Sequence, residues 1–271
     1  MNPMESSCVS DSVSVVRAAN ATSWCVACEA VRACRPPMRI ALLLFVLLIG
    51  RSARGQPVSG EEVVLVRLRY TVDSEAAGAA NDWNAKEFGK VLQNLSETLN
   101  GTTTVRTARE PVVLTLESPE IFLYPFLFMT GHHGCRLNEA EVANLREHLT
   151  KGGFLLATAC CGNEPFAKCF EREMKKVFPD ADLKVIPPDH PVYHSFYTTQ
   201  EVKLFFGASQ RAEGPSLKGI DIDGRTAVIL SPYALTCGWT KGGTCGANCR
   251  RIAAVDAFKM GVNIVIYALT Y

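Results

Sequence analysis

Phe126-Leu-Phe-Met-Thr-Gly-His-His-Gly-Cys135 and, after Gly152-Gly153, Phe154-Leu-Leu-Ala-Thr-Ala-Cys-Cys-Gly162 decide the fold of this chain. Each begins with an apolar run of strand length and ends in reactive residues. Between them, Asn138-x-x-Glu141 forms a capping-box pattern, Val142, Leu145 and Leu149 recur at helical spacing, and Gly152-Gly153 stops the helix. Strand, helix and strand in this order predict a crossover between parallel strands. Such a crossover brings Gly131, His132, His133 and Cys135 to the same sheet edge as Cys160, Cys161 and Gly162. That edge is the expected site, although its residues name no reaction.

The same alternation extends outward. Val63 to Tyr70 is almost continuously apolar before it alternates, as in a strand buried on both faces. A helix follows, capped by Asn81 or Asp82, with Phe88, Val91, Leu92, Leu95 and Leu99 on one face and Gly101 at its end. One or two short strands are expected between Val105 and Leu116, a helix over Glu164 to Val177, and a strand over Thr226 to Leu230. A closing helix is expected from about Ala254 to Leu269, with Asn263 as a buried structural amide. The proline-, histidine- and tyrosine-rich segment Lys184 to Thr199 reads as a long surface loop. Together these predict a single α/β domain over residues 56–271, a mainly parallel sheet covered by helices on both faces.

The chain has 271 residues, 48% of them hydrophobic and 20% charged, enough for one sizeable core. A net charge of +1 without a basic stripe argues against nucleic acid as a partner. Near the start, Met38-Arg39 precedes an apolar run from Ile40 to Ile49, and Ala53 and Gly55 supply small residues for a cut after Gly55. This is the pattern of an export signal over residues 38–55, and the run is too short for the roughly 20 apolar residues of a membrane span. Residues 1–37 then read as a non-native extension, with Met38 as the true start. Its Cys25-x-x-Cys28 has no second pair beside it to make a strong metal motif. The expectation is a periplasmic or extracellular protein with no stable membrane span after signal cleavage.

Of eleven cysteines, four precede Met38, leaving seven in the exported part. In an oxidising compartment some of these pair, and an odd number leaves at least one thiol free, metal-bound or intermolecular.

The ordered motifs Trp83-Asn84, Tyr124-Pro125-Phe126, Met129-Thr130-Gly131-His132, Gly152-Gly153-Phe154, Val177-Phe178-Pro179, Asp189-His190-Pro191 and Gly261-Val262-Asn263 resemble the family known as domain of unknown function 4159. The resemblance covers about Val63 to Tyr271. It implies a flavodoxin-like three-layer sandwich similar to class I glutamine amidotransferase-like and trehalose-utilisation-like proteins, and it implies no catalytic residue. Members often carry paired aspartates where Thr158-Ala159 stand here.

Three chemistries compete for the site. In the first, Cys160 or Cys161 is a nucleophile on a strand-to-helix turn, activated by His132 or His190. Against it, an amidotransferase elbow resembles G-x-C-x-G, whereas Thr158 to Gly162 keeps only the second glycine, and every histidine precedes Ser195. In the second, Cys237, Cys245 and Cys249 bind zinc, joined by Cys160, Cys161, Cys135 or a histidine. On compartment alone, disulfides tying the glycine-rich loop to the sheet edge are preferred to zinc. The third, favoured overall, is a non-catalytic module without a cofactor, binding a small molecule, sugar or peptide, or acting as a scaffold. Its crevice would be lined by Gly131, His132, His133, Gly162, Asp189 and Tyr193. His148 is read as an exposed residue that complements its helix dipole.

Overall fold

A computed structural model describes residues 62–73, 79–85, 88, 90–240 and 248–271. The expected signal and extension, and Cys245, lie outside the described residues.

In chain order the strands are β1 (Val66–Arg69), β2 (Thr71–Val72), β3 (Val112–Thr115), β4 (Phe126–Gly131), β5 (Cys135–Arg136) and β6 (Phe154–Ala159). They continue as β7 (Lys184–Val185), β8 (Val202–Phe206), β9 (Ser209–Glu213), β10 (Lys218–Ile222), β11 (Arg225–Ser231) and β12 (Arg250–Ile252). The helices are α1 (Val91–Thr102), α2 (Glu139–Thr150), α3 (Glu164–Val177), α4 (Thr236–Trp239) and α5 (Ala254–Thr270).

The main sheet has seven strands in the order β3-β1-β4-β6-β11-β10-β7. The first five are mutually parallel; β10 pairs antiparallel with β11, and β7 pairs antiparallel with β10. The crossover expected between β4 and β6 is present, with Phe126 opposite Phe154 and Gly131 opposite Ala159.

Every residue of β4 and of β6 is buried, because helices cover both faces. Alternation sends Phe126, Phe128, Phe154 and Leu156 into one core with Leu92, Leu95, Val262 and Val265 of α1 and α5. It sends Leu127, Met129, Leu155 and Ala157 into the other, with Leu145, Leu149, Phe166 and Phe170 of α2 and α3. Continuous apolar runs are therefore required here, since neither face meets water.

Helix α2 carries the expected capping box: Asn138 Oδ1 accepts from the Glu141 N–H, and the Glu141 carboxylate accepts from the Asn138 N–H. His148 departs from expectation. It is only 4% exposed and its Nε2 has no hydrogen-bond partner. Burial, aided by nearby Arg225, lowers its pKa to about 4, so it is neutral and complements no dipole. The segment capped at Asn81 or Asp82 is not one helix: a 3-10 turn spans Ala79–Asn84, and α1 begins only at Val91 and passes through Gly101.

The expected surface loop at 184–199 is also more structured. It contributes β7 and a 3-10 turn at Pro191–Tyr193. Asn263, fully buried on α5, accepts from the Phe196 and Tyr197 N–H groups and donates to the Tyr197 carbonyl, pinning the segment to the core. A second sheet, β12-β8-β9, lies beyond the sequence expectations. Among the described residues, no helix is long and apolar enough to cross a membrane.

Candidate metal centre

Neighbouring parallel strands β4, β6 and β11 each end beside a chemically active segment. His132 follows β4, Cys160-Cys161 follow β6, and Cys237 follows β11 within α4. Thr158 joins the last two segments: its hydroxyl accepts from the Leu235 N–H at 3.2 Å and donates to the Tyr233 carbonyl at 3.4 Å. Leu235 begins the turn that holds Cys237, and its carbonyl accepts from the Gly238 and Trp239 N–H groups. Gly238 is needed because a Cβ there would stand 2.3 Å from the Ala257 Cβ of α5.

Cys249 arrives from another direction. The Ala234 N–H donates to the Arg250 carbonyl and the Ile252 N–H to the Ala234 carbonyl, which seats β12 against the same loop. The Arg250 guanidinium donates to the Gly162 carbonyl. Gly162 has φ +64°, and a Cβ there would meet the Arg250 Cβ at 2.6 Å.

The outcome is a cluster of sulfurs centred on Cys237. Its Sγ lies 3.8 Å from that of Cys160, 3.7 Å from Cys161 and 3.5 Å from Cys249. A disulfide requires about 2.05 Å, so these are non-bonded contacts. Four sulfurs placed about 2.3 Å from a tetrahedral zinc ion stand about 3.8 Å apart. The three contacts from Cys237 therefore match the separation of thiolates that share a zinc ion. Cys160, Cys237 and Cys249 are buried and Cys161 is half-buried.

His132 completes the donor array, its ring atom lying with the Cys160 and Cys161 sulfurs in a group whose members are all within 4.8 Å of one another. Its orientation is imposed by Asp82, which sequence reading treated as a helix cap. Asp82 Oδ1 is 2.8 Å from His132 Nδ1, and Oδ2 accepts from the N–H groups of His132 and His133 at 2.5 and 2.9 Å. Phe88 stacks on the ring at 5.4 Å. Gly131 lets these groups approach, because a Cβ there would lie 2.0 Å from the Tyr70 hydroxyl and 2.6 Å from Asp82 Oδ2.

Electrostatics follow this geometry. Burial opposes charge on His132, but the hydrogen bonds to Asp82 and Cys161 outweigh it and raise its pKa to about 10. Burial likewise opposes charge on Asp82, yet hydrogen bonds from the His132 ring and the His133 and His132 N–H groups hold its carboxyl below its ordinary value. Hydrogen bonding to Cys161 and Cys237, followed by burial, pushes the Cys160 thiol well above its ordinary value. Without a metal that thiol keeps its proton; a coordinated cation reverses this and deprotonates it.

The other expected site residues are elsewhere. His190 Nε2 is 3.1 Å from Thr226 Oγ1, near the start of β11 and so at the opposite edge of the sheet from the thiols. Asp189 is exposed beside it. Tyr193 is fully buried, its hydroxyl accepting from the Leu217 N–H and donating to the Pro215 carbonyl, so it lines no crevice. His133 contributes its backbone N–H to Asp82. Cys135 is bonded to Cys169, joining β5 to α3 with 5.6 Å between Cα atoms.

Among curated proteins none matches the chain. A family model matches residues 64–269, which takes in all of the main sheet and every donor named above. The chain therefore belongs to the family described as Domain of unknown function (DUF4159).

Proposed function

We propose that this protein is a metal-binding α/β domain whose centre takes a thiophilic divalent cation, zinc by its donor chemistry, at the carboxyl edge of the sheet. The observation that carries this is the set of non-bonded contacts from Cys237 to Cys160, Cys161 and Cys249, at 3.5 to 3.8 Å. Thiolate and imidazole donors suit zinc. A carboxylate holding the far nitrogen of a histidine is the usual support for an imidazole ligand, and Asp82 does this for His132. The reading differs from the sugar- or peptide-binding module in drawing on His132 and the thiols without Tyr193 and Asp189. It also changes the preference for disulfides in this loop.

Export fits the same picture, supported by the apolar run after Met38 and by the Cys135–Cys169 disulfide. The five parallel strands, numbered in chain order, run 2-1-3-4-5 across the sheet. That order supports the flavodoxin-like, glutamine amidotransferase-like reading, with the site on the side where such folds hold their ligands.

A second reading rests on a specific observation: Asp82, His132 and Cys161 form a hydrogen-bonded chain. Cys161 sits at φ 52° on the turn between β6 and α3. This is the arrangement of an activated nucleophile, that of a thiol-dependent hydrolase.

One experiment separates the two. Protein purified without chelator is assayed for metal and treated with iodoacetamide at neutral pH, before and after chelation. The metal reading expects at least stoichiometric zinc, and alkylation of Cys161 only after zinc is removed. Rapid alkylation of Cys161 in protein free of metal supports the hydrolase, and disulfides among Cys160, Cys161, Cys237 and Cys249 overturn both.

A further inference from the structure

We propose that the centre holds two metal ions that share the Cys161 thiolate, an outer ion on His132, Cys160 and Cys161 and an inner ion on Cys161, Cys237 and Cys249. The inference rests on the metal-centre reading and adds to it the number of ions and their division of labour.

Donor count is the first argument. A tetrahedral ion takes four ligands, whereas His132, Cys160, Cys161, Cys237 and Cys249 present five. They fall into two triples, each with its ligand atoms within 4.8 Å of one another, and Cys161 belongs to both. One ion on the four thiols would leave the imidazole of His132 without a metal.

That imidazole is built as a ligand. With Nδ1 held by Asp82 Oδ1 at 2.8 Å, Nε2 becomes the ligand atom for a cation once the ring proton is displaced. Phe88 stacking and the two backbone hydrogen bonds to Asp82 Oδ2 hold the ring and its loop in place.

Cys161 has the backbone expected of a shared ligand held by its surroundings. It is a non-glycine residue in the left-handed region, with φ 52°, a conformation that side chains disfavour. Conformations of this kind persist where the structure around them fixes them, and they gather at functional sites.

Burial distinguishes the two positions. Both ions have three of these donors; Cys237 and Cys249 are buried, so the fourth position of the inner ion is the more enclosed. His132 and Cys161 are half-buried, so the outer ion reaches the surface with three protein donors and a fourth place for water or a small anion. Three protein donors with one exchangeable position is the pattern of a catalytic rather than a structural site. Two ions bridged by one ligand stand close enough to act together on a single bound group.

Cobalt substitution tests this on the full chain. Titration of the apoprotein with Co(II), followed by thiolate charge-transfer absorption and low-temperature magnetic resonance, is expected to saturate at two ions per chain with magnetic coupling between them. His132→Ala is expected to halve the stoichiometry and remove the coupling while keeping the charge-transfer band of the inner ion. Azide is expected to shift the ligand-field bands of the two-ion form and not those of His132→Ala. Saturation of the native chain at one cobalt overturns the two-ion proposal and leaves the metal-centre reading intact. Failure to bind cobalt overturns both. The native titration decides the matter even if His132→Ala fails to fold.

Discussion

Two cysteine regions of this molecule reach opposite outcomes with the same side chain. Cys135 and Cys169 stand on β5 and α3, the two cysteines among the described residues of the core on one face of the sheet, and they form a disulfide. Cys160, Cys161, Cys237 and Cys249 meet at the sheet's carboxyl edge, and their sulfurs remain 3.5 to 3.8 Å from Cys237. A lone pair of thiols can approach along one direction. In the cluster, Cys237 is contacted from three sides, and the hydrogen bonds of Thr158, Ala234 and Arg250 fix the segments that carry its neighbours. The contrast is geometric: two facing thiols close into a bond, whereas three sulfurs converging on a fourth stay in non-bonded contact.

The comparison breaks most visibly at Cys237. Cys237→Ser removes a donor of the inner ion, and metal content is expected to fall by at least half, with a stability loss on the order of 5 kcal/mol because metal binding contributes directly to folding. Elemental analysis and urea unfolding, each run with and without zinc, measure the two effects. A variant with full metal content would mean that Cys237 is no ligand.

The disulfide predicts the reverse pattern. Cys135→Ala with Cys169→Ala opens a link with a sequence separation of 34, and constraint of the unfolded chain makes that link worth about 3–4 kcal/mol. Thermal unfolding should show the loss while metal content stays unchanged. If metal is lost as well, the two regions are coupled and the contrast between them fails.

Acid distinguishes the regions through two histidines. His132, at the carboxyl edge, has its pKa raised to about 10, whereas buried His148 has its own lowered to about 4 from an ordinary 6.5. For His148 the unfolded chain binds the proton more readily, so folded stability is intact above pH 6.5 and falls as pH drops from 6.5 toward 4. The full loss is on the order of 3 kcal/mol. His148→Gln should flatten that part of the curve, and the difference between the two proteins isolates the histidine from metal release. Equal slopes would mean that His148 is not held neutral.

The smallest effect belongs to His190. His190→Ala removes a hydrogen bond to Thr226, costing about 1 kcal/mol, and metal content and alkylation of Cys161 should not change. A change in either would place His190 in the site despite its position at the other edge.

Much of the fold was legible in the sequence for local reasons. Continuous apolar runs revealed β4 and β6 because both of their faces are covered, and Asn138 with Glu141 announced the start of α2. The Asp223-Gly224 turn between β10 and β11, with φ values of 50° and 83°, is a local hairpin signal of the kind a sequence carries. β8 and β9 were harder, because β9 is largely exposed and owes its form to pairing. His148 deceived for a related reason: its place near the end of α2 was visible, but the packing that buries it was not.

The site divides along the same line. Residue order alone placed His132, Cys160 and Cys161 at one sheet edge, because a parallel crossover must return its second strand beside the first. It also marked Cys237 and Cys249 as metal candidates by their type. Only the tertiary structure decided that Cys237 and Cys249 join that edge while Cys135 leaves it for Cys169, and that Asp82, not His190, completes the group. Those outcomes depend on contacts between segments 12 to 77 residues apart, and no local spacing or propensity encodes which distant segments will meet.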